Sequence, residues 1–236
     1  MAAPRRSAKV PVSLSLSGRS VLVSCAIVAI SARAHAEPSS LPERHDGFYL
    51  RLAGGFGSLD LERRTERISG RATLSYAGDA SSVSGGAALA EVSVGGSVSP
   101  HLVLAGTWLG WLMPGAALTV GGGSHYGLST LTVTLLAPTA DVFPNPLGGF
   151  HFGGGAGVAL ARVPIDDPPL QTIGGLGVGF TAHLGYDAWT SDEWSAGLFA
   201  RATFAAIGRT QAADGVAGSE HDTLTSVAIV ASVLYH

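Results

Sequence analysis

Residues 174–187 read Gly-Gly-Leu-Gly-Val-Gly-Phe-Thr-Ala-His-Leu-Gly-Tyr-Asp. Leu176, Val178, Phe180, Ala182, Leu184 and Tyr186 take every second position. Between them stand Gly177, Gly179, Thr181, His183 and Gly185. A period of two is that of a β-strand, whose successive side chains point to opposite faces. A helix is a poor reading, because each interior glycine costs it about 1 kcal/mol relative to alanine. The stretch therefore specifies a strand with one apolar face and one face of small or polar residues.

The same alternation recurs in seven more blocks. Near 47–60, Phe48, Leu50, Leu52, Gly54 and Phe56 oppose Tyr49, Arg51, Ala53 and Gly55. Near 85–99, Ala88, Ala90, Val92, Val94 and Val98 oppose Glu91, Ser93 and Ser97. Near 101–112 the apolar face is Leu102, Leu104, Trp108 and Leu112; near 127–143 it is read as Leu131, Val133 and Leu135 against Thr130, Thr132 and Thr134. Near 148–163 it is Phe150, Phe152, Ala156, Val158 and Leu160. Near 193–206 it is Trp194, Ala196, Leu198, Ala200, Ala202 and Phe204; near 222–236 it is Val227, Ile229, Ala231, Val233 and Tyr235. Connections near 100, 145 and 190 are short, and those near 61–84, 113–126, 164–173 and 207–221 are longer and more polar. That alternation describes an eight-stranded antiparallel up-and-down meander with both termini on the short-turn side.

Composition narrows the class. Only 13% of the 236 residues are charged, about half the usual ~25%. The 33 glycines have no three-residue period, which excludes collagen. Residues 1–36 read as a secretory signal: Arg5, Arg6, Lys9 and Arg19 precede the apolar run Val21–Ile30, and Ala34-His35-Ala36 is an A-x-A cleavage site. Cleavage near Ala36 leaves residues 37–236 as one domain with nine basic against 17 acidic residues, a net charge of −8. Such a chain is a poor partner for nucleic acid. Cys25 and Lys9, the only cysteine and the only lysine, both lie in the leader. The mature chain so has no disulfide, thiolate nucleophile, cysteine zinc site or P-loop lysine.

Two arrangements bury this pattern. In a soluble periplasmic β-protein the large apolar residues point inward. In a transmembrane barrel they point outward to lipid, and the closed ladder leaves no backbone group unpaired in the bilayer. Three features favour the barrel. The other face is mostly small, as a narrow lumen requires. Charges collect in the connections. Aromatics fall near strand ends, with Phe48, Phe143, Phe150, Tyr186, Trp194 and Tyr235 at the short-turn end and Trp108, Trp111, Tyr126 and Phe204 at the other, as interfacial girdles do.

With its leader, Gly47-Phe48-Tyr49-Leu50 opening the first strand, its glycine-rich strands and its aromatic Tyr235 near the end, the mature chain resembles the small outer-membrane β-barrels of Gram-negative bacteria, the OmpA/OmpX/OmpW-like class. The resemblance implies an outer-membrane location and insertion by the outer-membrane assembly machinery after periplasmic transit. The class usually ends on an aromatic, whereas here His236 follows Tyr235.

Motifs for catalysis are scarce: G-x-S-x-G, H-E-x-x-H and G-x-G-x-x-G are all missing. Some barrels of the resembled class are rim hydrolases, and Ser124-His125, Asp166-Asp167 and Glu220-His221-Asp222 fall in long connections; ordinary loop chemistry accounts for them. On the small-residue face Arg51, Glu91 and Arg201, joined by His151 and His183, are expected to form a paired network, because an unpaired charge in a narrow lumen is costly. Such a network closes a barrel or gates a small pore. Arg63, Arg64, Arg67 and Arg71 cluster in the first long connection, where guanidinium groups suit lipopolysaccharide phosphates. The expectation is a monomeric, non-enzymatic outer-membrane barrel without cofactor or metal, structural or surface-interactive through its loops and in contact with lipid and lipopolysaccharide. The alternative is a narrow pore or a conduit for small hydrophobic molecules.

Overall fold

The computed structural model describes residues 47–68, 81–120, 124–127, 130–163, 173–213 and 216–236. The expected leader lies outside the described residues. Ten strands follow in order: β1 (Phe48–Ile68), β2 (Ser81–Ser99), β3 (Leu102–Pro114), β4 (Ala117–Val120), β5 (Ser124–Gly127), β6 (Thr130–Val142), β7 (Phe150–Val163), β8 (Ile173–Trp189), β9 (Trp194–Ala213) and β10 (Val216–Tyr235). All pairings are antiparallel, β3 pairs with β6 and β2 with β4 as well as β3, and β1 pairs with both β2 and β10, which closes the sheet.

The ring has eight staves, because β4 and β5 prolong β3 and β6. The register that sets Pro114 opposite Thr130 continues with Ala117 opposite Gly127. Against β2 the ladder slips by one residue, from Ala88–Leu112 to Val83–Leu118. Gly115 at this slip has φ +63°, a left-handed conformation that glycine adopts without strain.

Register also fixes the barrel's dimensions. Crossing hydrogen-bonded neighbours from Leu52 leads through Val92, Trp108, Leu136, Val158, Val178, Ala206 and Thr223. The circuit returns to β1 at Glu62, ten residues further on. Eight staves with that stagger give strands tilted by about 40° around a backbone radius of about 8 Å, too narrow for anything but side chains.

The sides of the wall match the alternation. Phe56, Leu104, Val178, Leu198 and Ile229 are exposed on the outside, whereas Arg51, Glu91, Thr107, His183 and Arg201 are buried inside. An exposed apolar band around a closed barrel is the wall of a bilayer-spanning protein.

One block is reversed. Leu131, Val133 and Leu135 on β6 point into the lumen and are buried, while Thr130, Thr132 and Thr134 are the half-exposed face. They belong to an internal apolar cluster with Leu59, Leu61, Leu89, Leu109, Trp111, Met113, Ile207 and Leu224, which fills the half of the lumen nearer the long connections. The expected small-residue lumen holds only in part.

Strands also run further than expected. Instead of a loop over 61–84, β1 continues to Ile68 and pairs there with β10, Arg63 opposite Asp222 and Arg67 opposite Gly218. Instead of a loop over 207–221, β9 and β10 stay paired as far as Ala213 and Val216. Beyond the bilayer a strand needs no apolar face, so its polar composition reads as loop.

Candidate functional site

The half of the lumen nearer the short turns is polar. Its residues alternate with lipid-facing positions on all eight staves and meet because the ring is narrow. Arg51 on β1 reaches furthest: its Nη2 lies 3.2 Å from Asp141 Oδ2 on β6, and its Nη1 lies 4.0 Å from Glu91 Oε1 on β2. Arg201 on β9 holds Glu91 from the other side, Nη2 to Oε2 at 2.8 Å, and its Nη1 donates to Thr181 Oγ1 at 2.8 Å. Glu91 thus links the two guanidinium groups. Their central carbons stand 5.3 Å (Arg51) and 5.2 Å (Arg201) from the centroid of the Phe199 ring, a cation–π arrangement out of water.

A second layer lies toward the short turns. Tyr49 donates its hydroxyl to Asp141 Oδ2 at 2.9 Å, and His183 Nε2 meets Asp141 Oδ1. His151 Nδ1 faces two acceptors, the Gly149 carbonyl at 3.2 Å and Asp187 Oδ2 at 3.1 Å. Those neighbours assign the proton to Nδ1, which leaves Nε2 to accept from Arg51 Nη2 at 3.4 Å. Ser232 donates to Asp187 Oδ1 at 3.3 Å. A chain of hydroxyls, Ser93 to Thr107 at 2.8 Å and Thr107 to Thr139 at 2.7 Å, completes the polar layer, and Ser93 donates to Glu91 at 3.0 Å.

Glycines make the room. A Cβ on Gly153 would run into Asp141 Oδ1 and approach His183 Cε1 to 2.9 Å; one on Gly197 would run into Asp187 Oδ1. The carboxylates fill space that any larger residue would take.

All five expected lumen residues, Arg51, Glu91, Arg201, His151 and His183, come together, each at most 6% exposed. Sequence reasoning missed Tyr49, Asp141, Asp187 and Phe199. Tyr49 and Asp187 share the parity of Arg51 and His183, which was the available signal. Among the described residues no group of three or more His, Cys, Asp or Glu is placed to hold a metal ion.

The aromatics expected in the girdle do not all lie on one side of the wall. Phe48, Phe150, Tyr186 and Trp194 are exposed on the outer surface, and Tyr235 packs between Phe48 and Trp194, its ring centroid 6.2 and 5.2 Å from theirs. Phe143 does not belong to it. It is fully buried with Tyr49, Val103, Ala105 and Leu234, and its ring lies 5.4 Å from that of His151. Its odd number continues the inward face of β6, so it floors the lumen. Trp111 is likewise inward, in the apolar cluster.

The described Ser, His and acidic residues of the long connections do not meet at one rim site. His125 lies opposite Thr119, Thr119 opposite Ser82, Ser82 opposite Glu62 and Glu62 opposite Thr223. Four strand spacings of about 4.8 Å therefore separate Ser124-His125 from Glu220-His221-Asp222 along the sheet. Asp222 is buried and His221 exposed, on opposite faces of β10. Asp166-Asp167 and Arg71 lie outside the described residues. Arg63, Arg64 and Arg67 lie on the upper part of β1.

The chain matches no protein-family model and no curated protein. Among solved structures it is similar to the outer membrane protein OprG from Pseudomonas aeruginosa, at 11% identity over 80% of this chain and 98% of that one, with a TM-score of 0.49. It is similar to the outer membrane protease OmpT from Escherichia coli, at 9% identity over 79% and 96%, with a TM-score of 0.42. The Ail protein of Yersinia pestis gives 7% identity over 77% and 97%, with a TM-score of 0.35. None of these likenesses carries an activity over to this chain.

Proposed function

We propose that this chain is a non-conducting, non-enzymatic outer-membrane barrel whose work is done at its surface, by the strands and connections beyond the bilayer. The observation that carries this reading is the filled lumen. Arg51, Glu91, Arg201, Asp141 and His183 cross-link the polar half, and Leu59, Leu109, Leu131 and Leu224, each fully buried, occupy the other. A barrel about 8 Å in backbone radius with both halves occupied has no continuous water path.

The surface role rests on the prolonged strands. Arg63, Arg64 and Arg67 lie where β1 passes beyond the apolar band, the depth of lipopolysaccharide phosphates, and arginine binds phosphate bidentately. One observation favours the second reading, a conduit for small hydrophobic molecules: the outer half of the lumen is lined with apolar side chains.

Planar-bilayer recording tests the main reading. The purified full chain is expected to give no reproducible conductance steps above the bare bilayer. Steady steps abolished by Arg51→Ala would overturn the filled-lumen account, and uptake of an apolar dye dependent on the barrel would favour the conduit.

A further inference from the structure

The apolar band is not equally tall around the barrel. On β1 it spans Phe48 to Phe56, and the outward positions that follow are Ser58, Asp60 and Glu62. Eight residues at about 3.3 Å each on a strand tilted by about 40° give a band about 20 Å tall. On β8 the outward face stays apolar from Tyr186 to Leu176, about 25 Å by the same measure. On β7 it stays apolar from Phe150 to Leu160.

Heights can be compared across the ring because the stagger is known. Ten residues of climb over eight staves raise each hydrogen-bonded step by about 1.25 residues. On that scale Asp60 stands level with Leu176, and Ser58 with Val178. Leu176 and Val178 are 60% and 58% exposed on the outer wall. The upper edge of the band is so about 7–10 Å higher on β7 and β8 than on β1, which lies across the barrel from β7. The lower edge, Phe150 on β7 and Tyr186 on β8 against Phe48 on β1, is about 3–6 Å higher there, so the rest of the difference is added height.

The low side is broad. Thr225 and Ser84 flank Asp60 on the neighbouring strands, and Thr223 and Ser82 flank Glu62. All six are exposed and outward. They form two rows of hydroxyl–carboxylate–hydroxyl, the Asp60 row at a depth where the opposite wall presents leucine and the Glu62 row just above it. Acyl chains there would strip water from the Asp60 carboxylate, at a cost that rises with depth in the bilayer.

We propose that the β10–β1–β2 face is a lipid-headgroup contact surface: headgroups and their water descend along it, so the leaflet beside the closing seam is locally thinned. The occupant is the headgroup layer because the exposed outward runs Ser58–Asp60–Glu62 on β1 and Thr225–Thr223–His221 on β10 rise from the top of the band without an apolar residue. A second copy of the chain covering the face is the competing outcome. The inference rests on the bilayer-spanning reading.

The test uses the full mature chain, which has no cysteine of its own if cleaved as expected. Ser58→Cys, Thr225→Cys and Val178→Cys are each spin-labelled and reconstituted in phosphatidylcholine–phosphatidylglycerol vesicles, with folding verified by gel shift on boiling. Collision with a water-soluble nickel chelate is compared with collision with oxygen. Labels at 58 and 225 are expected to favour the nickel chelate several-fold, and the label at 178 oxygen, despite equal height. Oxygen-dominated collisions at all three sites would overturn the proposal. So would labels at 58 and 225 that are shielded from both reagents and cross-link between copies. Nickel-dominated collision at 178 would instead sink the bilayer-spanning reading itself.

Discussion

Glu91 sits between two guanidinium groups, 2.8 Å from Arg201 and 4.0 Å from Arg51, and is almost wholly buried. Removing one partner of a buried pair leaves charge without compensation and costs about 3–5 kcal/mol, whereas replacing the pair by apolar groups is often neutral. Glu91→Gln is therefore expected to lower stability by about that amount in urea unfolding from vesicles, and adding Arg201→Met is expected to recover most of the loss. A Glu91→Gln chain as stable as the parent would show that the network is ornamental. Part of this site is legible in the sequence, because Arg51, Glu91 and Arg201 stand on a face whose other residues are mostly small. Asp141 and Asp187 are harder to read. Both lie within a few residues of a turn, where an acid is ordinary, and only the ring geometry brings Asp141 to Arg51 and Asp187 to His151.

At the scale of the strand, alternation gives the spacing of the two faces but not which of them meets lipid. On β8 and β9 the choice is clear, because one face is large and apolar and the other mostly small. On β6 both faces can be buried in something apolar. Leu131, Val133 and Leu135 fill the lumen, and the threonines opposite them lie toward the outer edge of the band, where a hydroxyl is tolerated. Phe143 and Trp111 mislead for the same reason: an aromatic near a strand end suits a girdle or a lumen floor equally, and parity decides. Paired truncations on β6 separate the two faces. Leu131→Ala opens a cavity in a packed cluster and is expected to cost about 2–5 kcal/mol. Leu136→Ala, 50% exposed on the outer wall, is expected to cost clearly less, because lipid fills the space. Unfolding in vesicles measures both, and a larger loss at 136 than at 131 would return β6 to the orientation its sequence suggests.

The whole molecule follows from a few quantities: eight staves, a stagger of ten residues and an apolar band on the outside. Stave number and antiparallel order are legible in the blocks and their short turns. Stagger is not, because it depends on how the strands pair, which no single strand states. Nor is the height to which paired strands rise beyond the band, since polar strand and polar loop have the same composition.

The central claim is that this chain is a closed barrel with its apolar band in lipid. Migration of the membrane-fraction protein on a gel, cold and after boiling, tests it most directly, since a closed barrel resists detergent until heated. The account predicts a membrane-bound band that shifts on boiling. An unshifted band in the soluble fraction would contradict it: Val178 and Leu198 would then be core, and Arg51 and Glu91 would face solvent.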